Sequence, residues 1–76
     1  MYLDNKEEAL KIVRENGRML NFVSDDLKND KQVVLEAVKN YGSALDYASL
    51  ILKGDEEIVL EALKQDQYSL MYASDE

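Results

Sequence analysis

Three serines recur at a fixed interval, Ser24, Ser49 and Ser74, and 16 carboxylates are spread along the chain. A hydroxyl nucleophile needs a neighbouring base to take its proton, most often an imidazole. The sequence contains no His, so a Ser-His arrangement is excluded. It contains no Cys, which removes thiolate nucleophiles, thiolate metal sites and disulfides. Two carboxylates can divide acid and base roles when a dry cleft pushes their pKa values apart. No spacing singles out such a pair here. The acidic run Asp25-Asp26-Leu27-Lys28-Asn29-Asp30 lacks the sixth-position glycine and the distal Glu of a calcium loop. It reads as the end of one helix meeting the cap of the next. No catalytic residue, cofactor or metal site is expected, and the chain is read as non-enzymatic.

Charge narrows the partner. With 16 acidic and 9 basic residues the net charge is −7. Nucleic acids and anionic membranes call for a basic face, so neither is expected as a partner. Arg14, Lys39 and Lys64 do form a basic series, but helix-dipole complementation and pairing with Glu36 and Glu61 account for it. The acidity suits a basic protein partner; keeping the chain soluble is the plainer reading. No apolar run approaches the roughly 18 residues needed to span a bilayer. The start, Met1-Tyr2-Leu3-Asp4-Asn5-Lys6, is not a secretory signal, which makes a cytoplasmic setting the expectation.

Behind these residues lies a repeat. Asp30-Lys31-Gln32-Val33-Val34-Leu35-Glu36-Ala37-Val38-Lys39 recurs 25 positions later as Asp55-Glu56-Glu57-Ile58-Val59-Leu60-Glu61-Ala62-Leu63-Lys64. It is preceded, 25 positions earlier, by Asn5-Lys6-Glu7-Glu8-Ala9-Leu10-Lys11-Ile12-Val13-Arg14. Leu45-Asp46-Tyr47-Ala48-Ser49 aligns in the same register with Leu20-Asn21-Phe22-Val23-Ser24 and Leu70-Met71-Tyr72-Ala73-Ser74. No gap is needed. One domain, 1–76, is therefore read as three units, 5–29, 30–54 and 55–76, and as a fragment of a longer array.

Each unit predicts two short helices. The first opens at Asn5, Asp30 or Asp55, side chains able to accept an orphan backbone N–H. Glu8, three residues after Asn5, offers a capping box. Acids crowd the first turns and bases the last, as the helix dipole favours. The break is expected at Gly17 and Gly42, where φ > 0 would close the helix, with Ser43 capping the next. In unit three Gln67 stands at the glycine position, which should cost some stability or shift the left-handed residue to Asp66. Val34, Leu35 and Val38 form one apolar stripe, and Leu45, Ala48 and Leu52 another. Helices of about 10 residues cannot bury such stripes alone, whereas stacked neighbours can. The expected fold is all-α: three stacked helix-turn-helix hairpins forming a short α-solenoid.

The shared pattern resembles the domain-of-unknown-function 4116 repeats, most closely in Val34-Leu35-Glu36-Ala37-Val38-Lys39 and Leu45-Asp46-Tyr47-Ala48-Ser49. Unit one departs from it at Ile12 and Phe22, and unit three at Gln67 and Met71. The resemblance implies a tandem helical fold within larger microbial and protist proteins. It implies no activity and no catalytic residue.

The expected role is that of a protein-protein interaction module, the alternative being a structural spacer or assembly segment of a larger protein. Five residues are candidates for partner binding. Phe22, Tyr47 and Tyr72 recur once per unit; as anchors they would supply rigid area with a polar tip, but packing between second helices is the favoured reading. Leu50-Ile51 stands where unit one has Asp25-Asp26 and unit three Asp75-Glu76. Leu50 is read equally as an exposed patch and as a junction filler. Ile51, four residues after Tyr47, is read as a filler. Helices uncapped at both ends also predict end-to-end self-association.

Overall fold

A computed structural model describes residues 4–73, and side-chain burial as far as residue 65. The chain is helical, with no strand among the described residues. Five α-helices, α1 (Lys6–Glu15), α2 (Asp25–Lys28), α3 (Lys31–Asn40), α4 (Leu50–Lys53) and α5 (Glu56–Ala73), are joined by two 3₁₀ segments, Gly17–Phe22 and Gly42–Tyr47. α3 is the middle helix, packed against α1 on one side and α5 on the other.

Local chemistry sets the helix starts. Asn5 Oδ1 accepts the Glu8 N–H at 3.1 Å, which forms the first half of the expected capping box. Asp30 Oδ1 accepts the N–H groups of Gln32 and Val33, and Asp55 Oδ1 those of Glu57 and Ile58, all within 3.3 Å. Each such bond satisfies a donor with no partner inside its helix.

The second half of a unit differs from the single helix expected there. Asn16 and Tyr41 are extended and end α1 and α3; Val23 and Ala48 are extended again a few residues on. Between them fit only six residues, which close tight i→i+3 bonds such as Met19 N–H to Asn16 O and Ala44 N–H to Tyr41 O. A one-turn α-helix follows each. Its cap is Ser24 or Ser49, accepting the N–H of Leu27 or Leu52. Ser43 is not a cap, and Tyr41, which precedes its segment, makes no side-chain capping bond. Ser24 and Ser49 thus have a structural use that needs no His, and Ser74 lies outside the described residues.

The glycines also work differently from the expectation. No described residue has positive φ, so neither Gly17 nor Gly42 closes a helix in the left-handed region. Gly17 is needed for close approach. A Cβ there would run into the Ala37 carbonyl oxygen and lie 2.8 Å from Tyr41 Cβ. In that contact Asn40 bridges two units. Its Oδ1 accepts the Gly17 N–H at 2.6 Å, and its Nδ2 donates to the Arg14 carbonyl at 3.2 Å. The bridge takes up backbone groups that α1 frees by stopping.

Unit three does not break. α5 runs unbroken through Asp66 and Gln67, where a hairpin turn was expected. Gln67 stands where the first two units have a glycine. A continued helix satisfies its own backbone groups internally. The core is one apolar cluster fed by every unit, with Val13, Leu20, Val33, Val38, Ala44 and Ile58 fully buried. Leu45 and Tyr47 are half-buried against it.

Candidate interaction surface

Consider first the helices that carry the repeat. Positions adjacent in sequence separate into two edges, each an i, i+4 pair. The backward edge is Glu8 and Ile12 in α1, Val33 and Ala37 in α3, Ile58 and Ala62 in α5. In α3 and α5 these are buried; in α1 Glu8 is exposed and Ile12 half-buried. The forward edge is Ala9 and Val13, then Val34 and Val38, then Val59 and Leu63. In α1 and α3 these are fully buried, whereas Leu63 is 52% exposed and Val59 half-buried. Leu60 follows the same trend: it is 57% exposed, while its counterparts Leu10 and Leu35 pack partly against the core. Each helix therefore covers the forward edge of the one before it. The expected apolar stripes at both ends exist at α5 only, because α1 turns Glu8, Lys11 and Glu15 outward around Ile12.

Polar contacts follow the same order. Lys6 Nζ lies 3.1 Å from the Asp30 carboxylate, and Lys31 Nζ lies 3.4 Å from Asp55 and 2.9 Å from Glu57. Burial alone would raise the Asp30 carboxyl, but the Lys6 ammonium and the capping N–H groups of Val33 and Gln32 outweigh it and hold the pKa below the ordinary value. The Asp55 carboxyl is also lowered, first by the Ile58 N–H and then by Lys31, against an opposing desolvation. Lys31 is raised by Glu57 and Asp55. The ladder has a neutral Asn5 at its first acceptor position and an acidic Glu56 at its last donor position. A second pair joins Arg14 to Glu36 at 3.4 Å, so Glu36 serves the neighbouring helix and not Lys39. Glu61 and Lys64 do pair within α5, at 3.8 Å.

A second cluster of exposed apolar residues lies on the short elements. Leu50 is 85% and Ile51 75% exposed at the first turn of α4. Ile51 therefore fills no junction, contrary to the favoured sequence reading. α4 is one turn long and rolls only Leu52 inward. Its start is fixed against the end of α2 by Ser49, whose N–H donates to the Lys28 carbonyl at 3.0 Å and whose Oγ bonds Asn29 Oδ1 at 2.7 Å. Phe22 and Tyr47 close the two 3₁₀ segments, which pack together. Tyr47 is half-buried, as expected, but Phe22 is 49% exposed and lies outside the core. The Tyr72 side chain lies outside the described residues.

A shallow concavity of about 450 Å³ beside Glu57, Leu60, Leu63 and Lys64 is flanked by charge and open to solvent. No group of three metal-ligating side chains comes together among the described residues. No described helix is long and apolar enough to cross a membrane.

The sequence pattern of the family described as Domain of unknown function (DUF4116) matches residues 5–53 and again residues 31–76. The chain belongs to this family. The two matches overlap across unit two, as a tandem repeat requires. No curated protein and no solved structure matches the chain. Within this DUF4116 chain, Leu60 and Leu63 are the surface residues that reading the sequence missed. Their counterparts are apolar in every unit, so they read as core. The signal was the exception, Glu8 in α1 where the other units have Val33 and Ile58, which marks the edge that faces backward.

Proposed function

We propose that this DUF4116 chain is a short α-solenoid of three stacked 25-residue units that acts as a non-enzymatic protein-interaction module. The observation that carries the proposal is the exposure of Leu50 and Ile51. Single exposed aliphatic residues are ordinary, but an adjacent pair on a fixed turn, where unit one carries two aspartates, departs from the repeat's own pattern. Half-exposed Phe22, at the end of the first 3₁₀ segment, is a further exposed apolar side chain. The acidic surface favours a partner with a basic rim around an apolar contact.

The test compares the native chain with a Leu50→Asp/Ile51→Asp variant, which restores the residues of unit one. Both are used to capture partners from a native lysate, and their thermal melts are compared. The expected result is a partner lost from the variant with the melt unchanged. An identical partner set for both proteins would sink the assignment to this patch.

The inter-unit bonds of Asn40 and Ser49 support a second reading, a rigid spacer within a larger assembly. It requires that removing residues 30–54 as a whole unit leave every specific partner bound.

A further inference from the structure

The forward edges of α1 and α3 are each covered by a helix that meets two conditions. It brings apolar residues in an i, i+4 pair (Val33 and Ala37, Ile58 and Ala62). Its cap carboxylate meets a lysine at the start of the helix before it (Asp30 on Lys6, Asp55 on Lys31). In α3 it also brings an acid, Glu36, to the cation near the end of α1, Arg14. α5 presents the same apolar edge, with Leu60 and Leu63 more than half exposed, and the same late cation, Lys64. Only the first contact is reversed: Glu56 replaces the lysine.

We propose that this edge of α5 docks an amphipathic helix from another protein, lying parallel to α5 and carrying a basic first turn. The pattern is a cation at position n, apolar residues at n+3 and n+7, and an acid at n+6 to meet Lys64. Continuity with the two interfaces already formed sets the apolar spacing, and Glu56 sets the sign of the first turn. The same logic turns away two other occupants. A repeat helix capped by Asp would place a carboxylate against Glu56. The α1 of a second copy would bring Glu7 toward Glu56, Lys11 toward Lys64, and Glu8 into the apolar edge. This surface is separate from Leu50 and Ile51, so either assignment can fail without the other.

The test titrates the full chain with helix-stabilised synthetic peptides and follows backbone amide shifts by NMR. One peptide copies residues 30–41 with Lys in place of Asp30; one copies 30–41 unaltered; one copies residues 5–16. The Lys-bearing peptide should move the Val59, Leu60 and Leu63 amides and bind about tenfold more tightly than the unaltered one. Glu56→Lys should reverse that preference, and Leu63→Asp should abolish binding. Should Leu63→Asp fail to fold, Leu60→Asp serves the same purpose. Equal or tighter binding of the unaltered or 5–16 peptide, shifts away from α5, or no binding at all would overturn the proposal. So would a sedimenting dimer that Leu63→Asp dissolves, because the occupant would then be a second copy.

Discussion

α1 and α5 flank the same central helix, yet their outer edges are opposites. α1 covers its free edge with Glu8, Lys11 and Glu15; α5 leaves Leu60 and Leu63 open. A residue type therefore does not decide burial here; the neighbour does. Val38 and Leu63 occupy one repeat position, and one is sealed by α5 while the other faces solvent. A stacked repeat is directional: each helix has an edge that is given and an edge that receives.

The largest effect follows from that pair. Val38→Asp buries a carboxylate with no partner at a fully enclosed site and should cost about 4 kcal/mol or more. A chain this size has only about 4–11 kcal/mol to lose, so the variant should be largely unfolded by circular dichroism at room temperature. Leu63→Asp, the same substitution one unit on, should lower the free energy of urea unfolding by less than about 1 kcal/mol. Comparable losses at the two sites would mean that α5 has no open edge.

Next are the glycines. Gly17→Ala forces a Cβ onto the Ala37 carbonyl and should cost about 2 kcal/mol through displacement of α3 from the first 3₁₀ segment. Gly54 has φ −97° and only the Ile51 carbonyl at 3.7 Å near its missing Cβ. Gly54→Ala should therefore be neutral or stabilise by up to about 1 kcal/mol by restricting the unfolded chain. Equal behaviour in thermal melts would refute close packing as the reason for Gly17.

A smaller loss tests the bridge between units. Asn40→Ala strands the N–H of the buried Gly17 and should cost about 1–2 kcal/mol in urea unfolding. Gln65 holds the same position in unit three but, among the described residues, bonds within α5, to Glu61 at 3.4 Å. Gln65→Ala should change little, within about 0.5 kcal/mol.

These contrasts also mark what could be read from the residues alone. The caps at Asn5, Asp30 and Asp55 were legible, because a cap is settled within three residues of chain. So were the positions where α1 and α3 stop. The reason for stopping was not, because Gly17 answers to Ala37 and Tyr41, 20 and 24 residues away. The unbroken α5 was missed because the break was expected by alignment with Gly17 and Gly42, whereas Asp66 and Gln67 are residues a helix can run through. Ile51 misled because i+4 from Tyr47 implies one continuous helix. The extended backbone at Ala48 interrupts it and turns Ile51 outward.

The smallest effect concerns the charge on the ladder. Asp30 and Asp55 have pKa values below the ordinary value when folded, so the unfolded chain binds protons first as pH falls through about 4. Their contribution is fully present above the unfolded carboxylate range and is lost as pH drops through the lowered folded values. Asp30→Asn separates charge from capping, since Asn still accepts the N–H groups of Gln32 and Val33, as Asn5 does naturally for Glu8. The variant should be slightly less stable than the native chain at pH 7, by under about 1 kcal/mol for a partly exposed pair. As pH falls through the lowered folded value of Asp30 the two should converge, because the native carboxylate then becomes neutral as well. Unfolding curves that stay a constant distance apart from pH 7 to 2 would place the loss in the cap geometry. The Lys6–Asp30 contact would then contribute nothing to holding α3 on α1.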